Sequence, residues 1–156
     1  MKVIQQLKNM SEDRFLAIYD SLQNQGFGPL DGEVARALKF RPHAVKKLPM
    51  AQRARRARMI LEKTSNAELT YELFGSYLMA SCKDLVTDFL DATGVEHEDG
   101  MVANVDSAKP DVAKIAGALE KLDQDYAADD VTLYLSLCAE QWPSVTEIET
   151  LWQMRS

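Results

Sequence analysis

The chain predicts an all-α fold, a multi-helix bundle or short helical-repeat array, on three observations. Apolar residues recur at spacings of three and four along nearly the whole length. Period-two alternation, the mark of a half-buried strand, is almost absent. One stretch also repeats itself further down the chain, as helical arrays do. With 156 residues, 46% of them hydrophobic and only seven Gly and five Pro, the chain can bury a core without help from disulfide or metal. The expectation is about seven to nine helices in one domain over residues 1–156.

Ser11 is placed to cap a first long helix over about residues 11–25, with Phe15, Ile18, Tyr19 and Leu22 as its apolar stripe. A short helix from about Asp31 to Phe40 follows, and Pro42 suits the first turn of another. Met50 to Lys63 is amphipathic. Ser65-Asn66-Ala67-Glu68 has the form of a capping box and launches a helix to about residue 80. Further helices are expected near 82–93, 110–123, 128–141 and 144–153. Pro143 and a second capping box, Ser144-Val145-Thr146-Glu147, open the last. The segments 66–80 and 128–141 are apolar on most sides, so neighbours should enclose them, and they are expected to pack together or in parallel layers at the middle of the fold.

Sliding the chain against itself by 68 residues places Asp20, Leu22, Gly26, Asp31, Gly32, Val34, Ala35, Pro42 and Lys46 on Asp88, Leu90, Gly94, Asp99, Gly100, Val102, Ala103, Pro110 and Lys114. Nine identities in 32 positions imply two related helix–loop–helix units, at about 11–80 and 81–141, followed by the helix 144–153. The shared positions read as joinery. Gly26 and Gly94 would end helices in the left-handed region, with Leu22 and Leu90 behind them and Phe27 and Val95 ahead as an apolar clasp. Asp31 and Asp99 would then cap the helices that follow. Further on, Leu61-Glu62-Lys63 matches Leu119-Glu120-Lys121 at an offset of 58, so the second unit lacks ten residues of the first unit's basic run.

Charge is segregated. The net charge is −6, but residues 39–63 carry +8 and residues 64–156 carry −13. Lys46, Lys47, Arg53, Arg55, Arg56 and Arg58 form a cationic ridge, with Arg41 and Lys39 upstream. On a helical wheel Met50, Ala54, Ala57 and Leu61 make the narrow apolar stripe of Met50–Lys63, and the four arginines fan around the rest. Such a ridge can bind an acidic protein surface or a second copy of the chain, or it can lie against an acidic face of its own molecule. It can also touch phosphates, which makes RNA or DNA the alternative partner. The run carries no aromatic side chains for base stacking, and the −13 region would repel a duplex approaching broadly.

Chemistry is sparse. Glu96-His97-Glu98-Asp99 is the densest set of potential metal ligands, and a metal-dependent enzyme at that loop is the second alternative. One imidazole in four consecutive residues cannot wrap an ion unaided, and the other histidine is His43. Cys82 and Cys138 sit in helical apolar surroundings with no nearby His or Cys to activate them, as core cysteines do. No phosphate loop, His-Glu-x-x-His or Gly-x-Ser-x-Gly occurs. No cofactor is expected. The apolar runs are too short to cross a membrane, and the N-terminus lacks a secretory pattern, so a reducing cytoplasm is the expected compartment. The reading is a small non-catalytic binding or adaptor protein that works through its basic helix.

Overall fold

A computed structural model describes residues 2–24, 36, 44 and 47–155. Among these the chain is all-α. The helices are α1 (Lys2–Asn9), α2 (Glu12–Asn24), α3 (Met50–Leu61), α4 (Ala67–Ser81), α5 (Lys83–Ala92), α6 (Val112–Asp125), α7 (Ala128–Gln141) and α8 (Thr146–Arg155), with a 3₁₀ turn at Thr64–Asn66. The expected helices over 31–40 and after Pro42 lie outside the described residues, and so do Gly26, Asp31 and Gly32, the first corner of the repeat. The chain divides into two compact units, Val3–Leu73 and Phe74–Ser156, with the division inside α4.

In the first unit, Ser11 Oγ accepts the amide of Arg14 at 3.1 Å and so caps α2. The expected stripe is the buried one: Phe15, Ile18, Tyr19 and Leu22. Helix α2 packs on α3, where Ala54 and Ala57 have no bulk and allow close approach. Helix α1 was not anticipated. Its signal is short but present, since Val3, Ile4 and Leu7 lie one and four apart and all three are buried. Ser65 sits within the 3₁₀ turn rather than immediately before α4. The buried Thr70 hydroxyl, one turn into α4, donates to the Leu61 carbonyl at 2.7 Å.

In the second unit α7 is the centre. Val131 and the seven residues Leu133–Ala139 are buried, which is what an all-round apolar helix requires. It packs on α8 and α6, and α5 packs on α6. The expected pairing of 66–80 with 128–141 is narrower than anticipated: Tyr77, near the end of α4, donates its hydroxyl to Asp130 at 3.1 Å. Phe89 and Tyr134 meet edge to face at 5.3 Å. Trp142 and Trp152 are fully buried.

The corner after α5 obeys the sequence at one glycine and departs from it at the next. Gly94 has φ +75°. The Val95 amide reaches back to the Leu90 carbonyl at 2.9 Å and the Gly94 amide to Asp91 at 3.3 Å, which is a Schellman ending with Leu90 and Val95 both buried. Asp99, expected to cap a helix, does not. It has φ +55° and Gly100 φ +90°, and Glu98 and Met101 exchange both backbone hydrogen bonds at 2.9 Å. This is a two-residue turn with both central residues left-handed, for which Asp-Gly is among the favoured pairs. The next helix starts eleven residues later, and Asp111 caps it by accepting the Ala113 amide at 3.1 Å. The correction has a physical cause: Asp-Gly serves as a helix cap or as a hairpin turn, and local sequence does not separate the two.

Candidate functional site

Pro49 precedes α3 as its N-cap residue, and the helix displays its four arginines on two sides, not one. Arg53 is a correction to the fanned ridge. It is only 8% exposed, because its stem follows the Ala54 and Ala57 side inward. There Nη2 donates to Gln23 Oε1 at 2.5 Å and the guanidinium lies 5.9 Å from the Tyr19 ring centre. Its Nε has no acceptor among the described residues. Arg58 is turned inward as well. Nη2 donates to the Leu7 carbonyl at 2.8 Å and the Met10 carbonyl at 2.5 Å, Nε pairs with Glu62 at 3.2 Å, and the group lies 5.8 Å from the Phe15 ring centre.

The acceptors of Arg58 explain its position. The last carbonyls of a helix have no partner within it and carry the negative end of its dipole. Arg58 supplies α1 with a cationic cap from a distant part of the chain.

Arg55 and Arg56 occupy the outer side. Arg55 Nε pairs with Glu12 at 2.6 Å, with both side chains about two-thirds exposed. The Arg55 guanidinium, through its hydrogen bond first and its charge second, holds the Glu12 carboxyl below the usual carboxylate range. Arg56 is exposed, as is Lys47 just ahead of the helix, and neither charged end forms an ion pair among the described residues. Lys46 lies outside the described residues. Ala51, Gln52, Arg55, Arg56 and Met59 therefore make one outward face at helical spacing. Met59 is 61% exposed on it, a residue that reading the run for its charge passed over.

The loop 93–111 holds the second set of candidates, and the structure does not gather them. His97 Nδ1 accepts the Gly100 amide at 3.0 Å, so the hydrogen-bond pattern assigns the proton to Nε2, which donates to Asp91 at 2.6 Å. Both ring nitrogens are engaged, and neither has a lone pair to offer a metal. Asp99 pairs with Lys83 instead of turning toward His97. Glu96 and Glu98 are exposed. Among the described residues no three His, Cys, Asp or Glu side chains are placed to hold a metal ion. Cys138 is buried, and burial pushes its thiol up to about 12.

The same loop does form a cleft of about 430 Å³, bounded by Glu96, Glu98, Met101, Val102, Ala103 and Ala108 among others. Sequence reasoning missed it. Its shape depends on Trp142, whose indole N–H is shared between the Val105 carbonyl at 3.0 Å and the Ala108 carbonyl at 3.1 Å, and on Asn104, whose side chain accepts the amides of Asp106 and Ser107. Met101 is 64% exposed in the cleft. Comparison with protein-family models, curated proteins and solved structures finds no match to this chain. No helix among the described residues is long and apolar enough to cross a membrane.

Proposed function

We propose that this protein is a non-catalytic binding module that takes an acidic protein surface on the outward face of α3. The observation that carries the reading is the composition of that face: an exposed methionine beside Arg55 and Arg56, with Lys47 ahead of it. Methionine and arginine are enriched in protein interfaces, the first as an adaptable apolar contact and the second as a donor to carboxylates. The inward arginines support the same reading. By tying α3 to α1 and α2, Arg53 and Arg58 fix the outer face in place, so less entropy is lost when a partner docks.

Phosphate binding by the same run gains less from this arrangement. Two of its arginines face inward and a third already has Glu12, which leaves fewer cations to neutralise phosphates and implies a shallow salt dependence.

The test compares the wild type with a Lys47→Glu/Arg56→Glu/Met59→Ser variant, all three sites being outside the core. Quantitative affinity capture from cell lysate is expected to yield at least one protein that the wild type retains and the variant loses. Capture of the same proteins by both would sink the proposal. Fluorescence anisotropy with a mixed-sequence RNA or DNA duplex covers the alternative, for which a log–log salt slope of about three or more would be required.

A further inference from the structure

We infer that the outward face of α3 in one copy seats in the cleft of residues 96–108 in another, an inference that rests on the binding role of α3 proposed above.

The two surfaces match in charge and in apolar content. The cleft, at about 430 Å³, is within the size range of natural binding pockets. Glu96 and Glu98 line it with exposed carboxylates that form no ion pair among the described residues. Met101, Val102, Ala103 and Ala108 supply its apolar lining. On α3, Arg56 and Met59 are three residues apart and therefore neighbours on one face. Met59 can enter against Met101, sulfur and methyl on either side, while Arg56 reaches the carboxylates at the edge. Both methionines are more than three-fifths exposed, at 61% and 64%. The wider field points the same way, with +8 concentrated in residues 39–63 and −13 in residues 64–156, so two copies attract when those regions face each other.

The symmetry of the contact follows. The two surfaces differ, so the interface is heterologous and each copy keeps one unused surface of each kind; association then grows head to tail or closes into a ring. A single helix face in one cleft is small beside a standard interface of about 1,600 Å², so the association is weak and dynamic.

Sedimentation equilibrium of the full chain tests this. The wild type is expected to show a mean mass rising with concentration between about 10 and 500 µM, the range of a weak interface. That rise should shrink when ionic strength goes from about 0.1 M to about 1 M, which shortens the screening length from about 10 Å to about 3 Å. Arg56→Glu alone and Glu98→Arg alone should each remain monomeric. Mixed in equal amounts they should associate again, because the first keeps an intact cleft and the second an intact helix face. In the mixture the exchanged charges also face each other with their signs reversed, so growth past one-to-one dimers is allowed. Circular dichroism of each variant guards against a folding defect. A wild type monomeric throughout the low-salt series overturns the inference, and so does a mixture that fails to associate. If the wild type is monomeric while the capture experiment still loses a partner on the α3 variant, the binding role of α3 stands and self-recognition alone fails.

Discussion

Replacing Arg58 with methionine isolates what the arginine head does, because methionine keeps most of the apolar stem. The head makes two charge-assisted hydrogen bonds to the carbonyls of Leu7 and Met10, each worth about 1.5 kcal/mol at the lower end. The contact with the Phe15 ring contributes about 0.5–1 kcal/mol, and the pair with Glu62 a few tenths. Some of this is recovered. The Leu7 carbonyl retains the Met10 amide at 3.1 Å, and Met10 is partly exposed, so water can replace the lost donor. The net loss is about 2–3 kcal/mol, concentrated at the end of α1. Hydrogen exchange of a peptide covering residues 2–14 reads it directly: local opening of α1 should become about 30- to 150-fold more frequent. Arg56→Met, on the exposed side of the same helix, should change exchange there by no more than about twofold. If Arg58→Met moves the exchange of that peptide by less than about threefold, the guanidinium does not cap α1 and the account of the inner arginines is wrong.

Three further outcomes follow from particular contacts. Gly100→Ala should destabilise the chain by about 1–3 kcal/mol, since Gly100 has φ +90°, a conformation that L side chains rarely adopt, and the approach of the new Cβ to the flexible end of Met79 adds little, whereas Asp99→Asn should be nearly neutral because asparagine also accepts the left-handed turn; urea midpoints of the two variants give the comparison. Cys138, fully buried with its thiol pushed up to about 12, should resist a disulfide reagent in the native chain and react only on unfolding; mass spectrometry of modified peptides would show it, and rapid native labelling would contradict its placement. Arg155 grips Asp123 with two bonds of 2.7 Å and, through those bonds first, holds its carboxyl below the usual range. A depressed carboxylate stabilises the fold above its unfolded value of about 3.9 and loses that contribution as pH falls through the folded value. The stability gap between wild type and Asp123→Asn, measured by urea unfolding, should therefore be present at pH 7 and shrink below about pH 4; a gap constant across that range would show that the ion pair contributes nothing.

Several elements were legible residue by residue. The stripe Phe15, Ile18, Tyr19 and Leu22 is the buried face of α2, the bounds 128–141 are those of α7, and Gly94 ends α5 as its flanking leucine and valine require. Each rests on interactions within one turn or one helix, which spacing encodes. Helix α1 was missed because eight residues carry barely two turns of pattern, and its last carbonyls are satisfied from Arg58, 48 residues beyond Met10. The cleft was missed because it is built from loop backbone held by Trp142, and no periodicity describes a loop.

The sequence by itself determined that the chain is helical, where most helices run and which faces are apolar, because those properties follow from local spacing and capping chemistry. It determined the charge segregation too. Only the tertiary structure decided what the charges do. Arg53 and Arg58 have the same side chain as Arg55 and Arg56, and an arginine's apolar stem lets it point to solvent or to a buried carbonyl with equal ease; the choice depends on whether another helix ends within its reach.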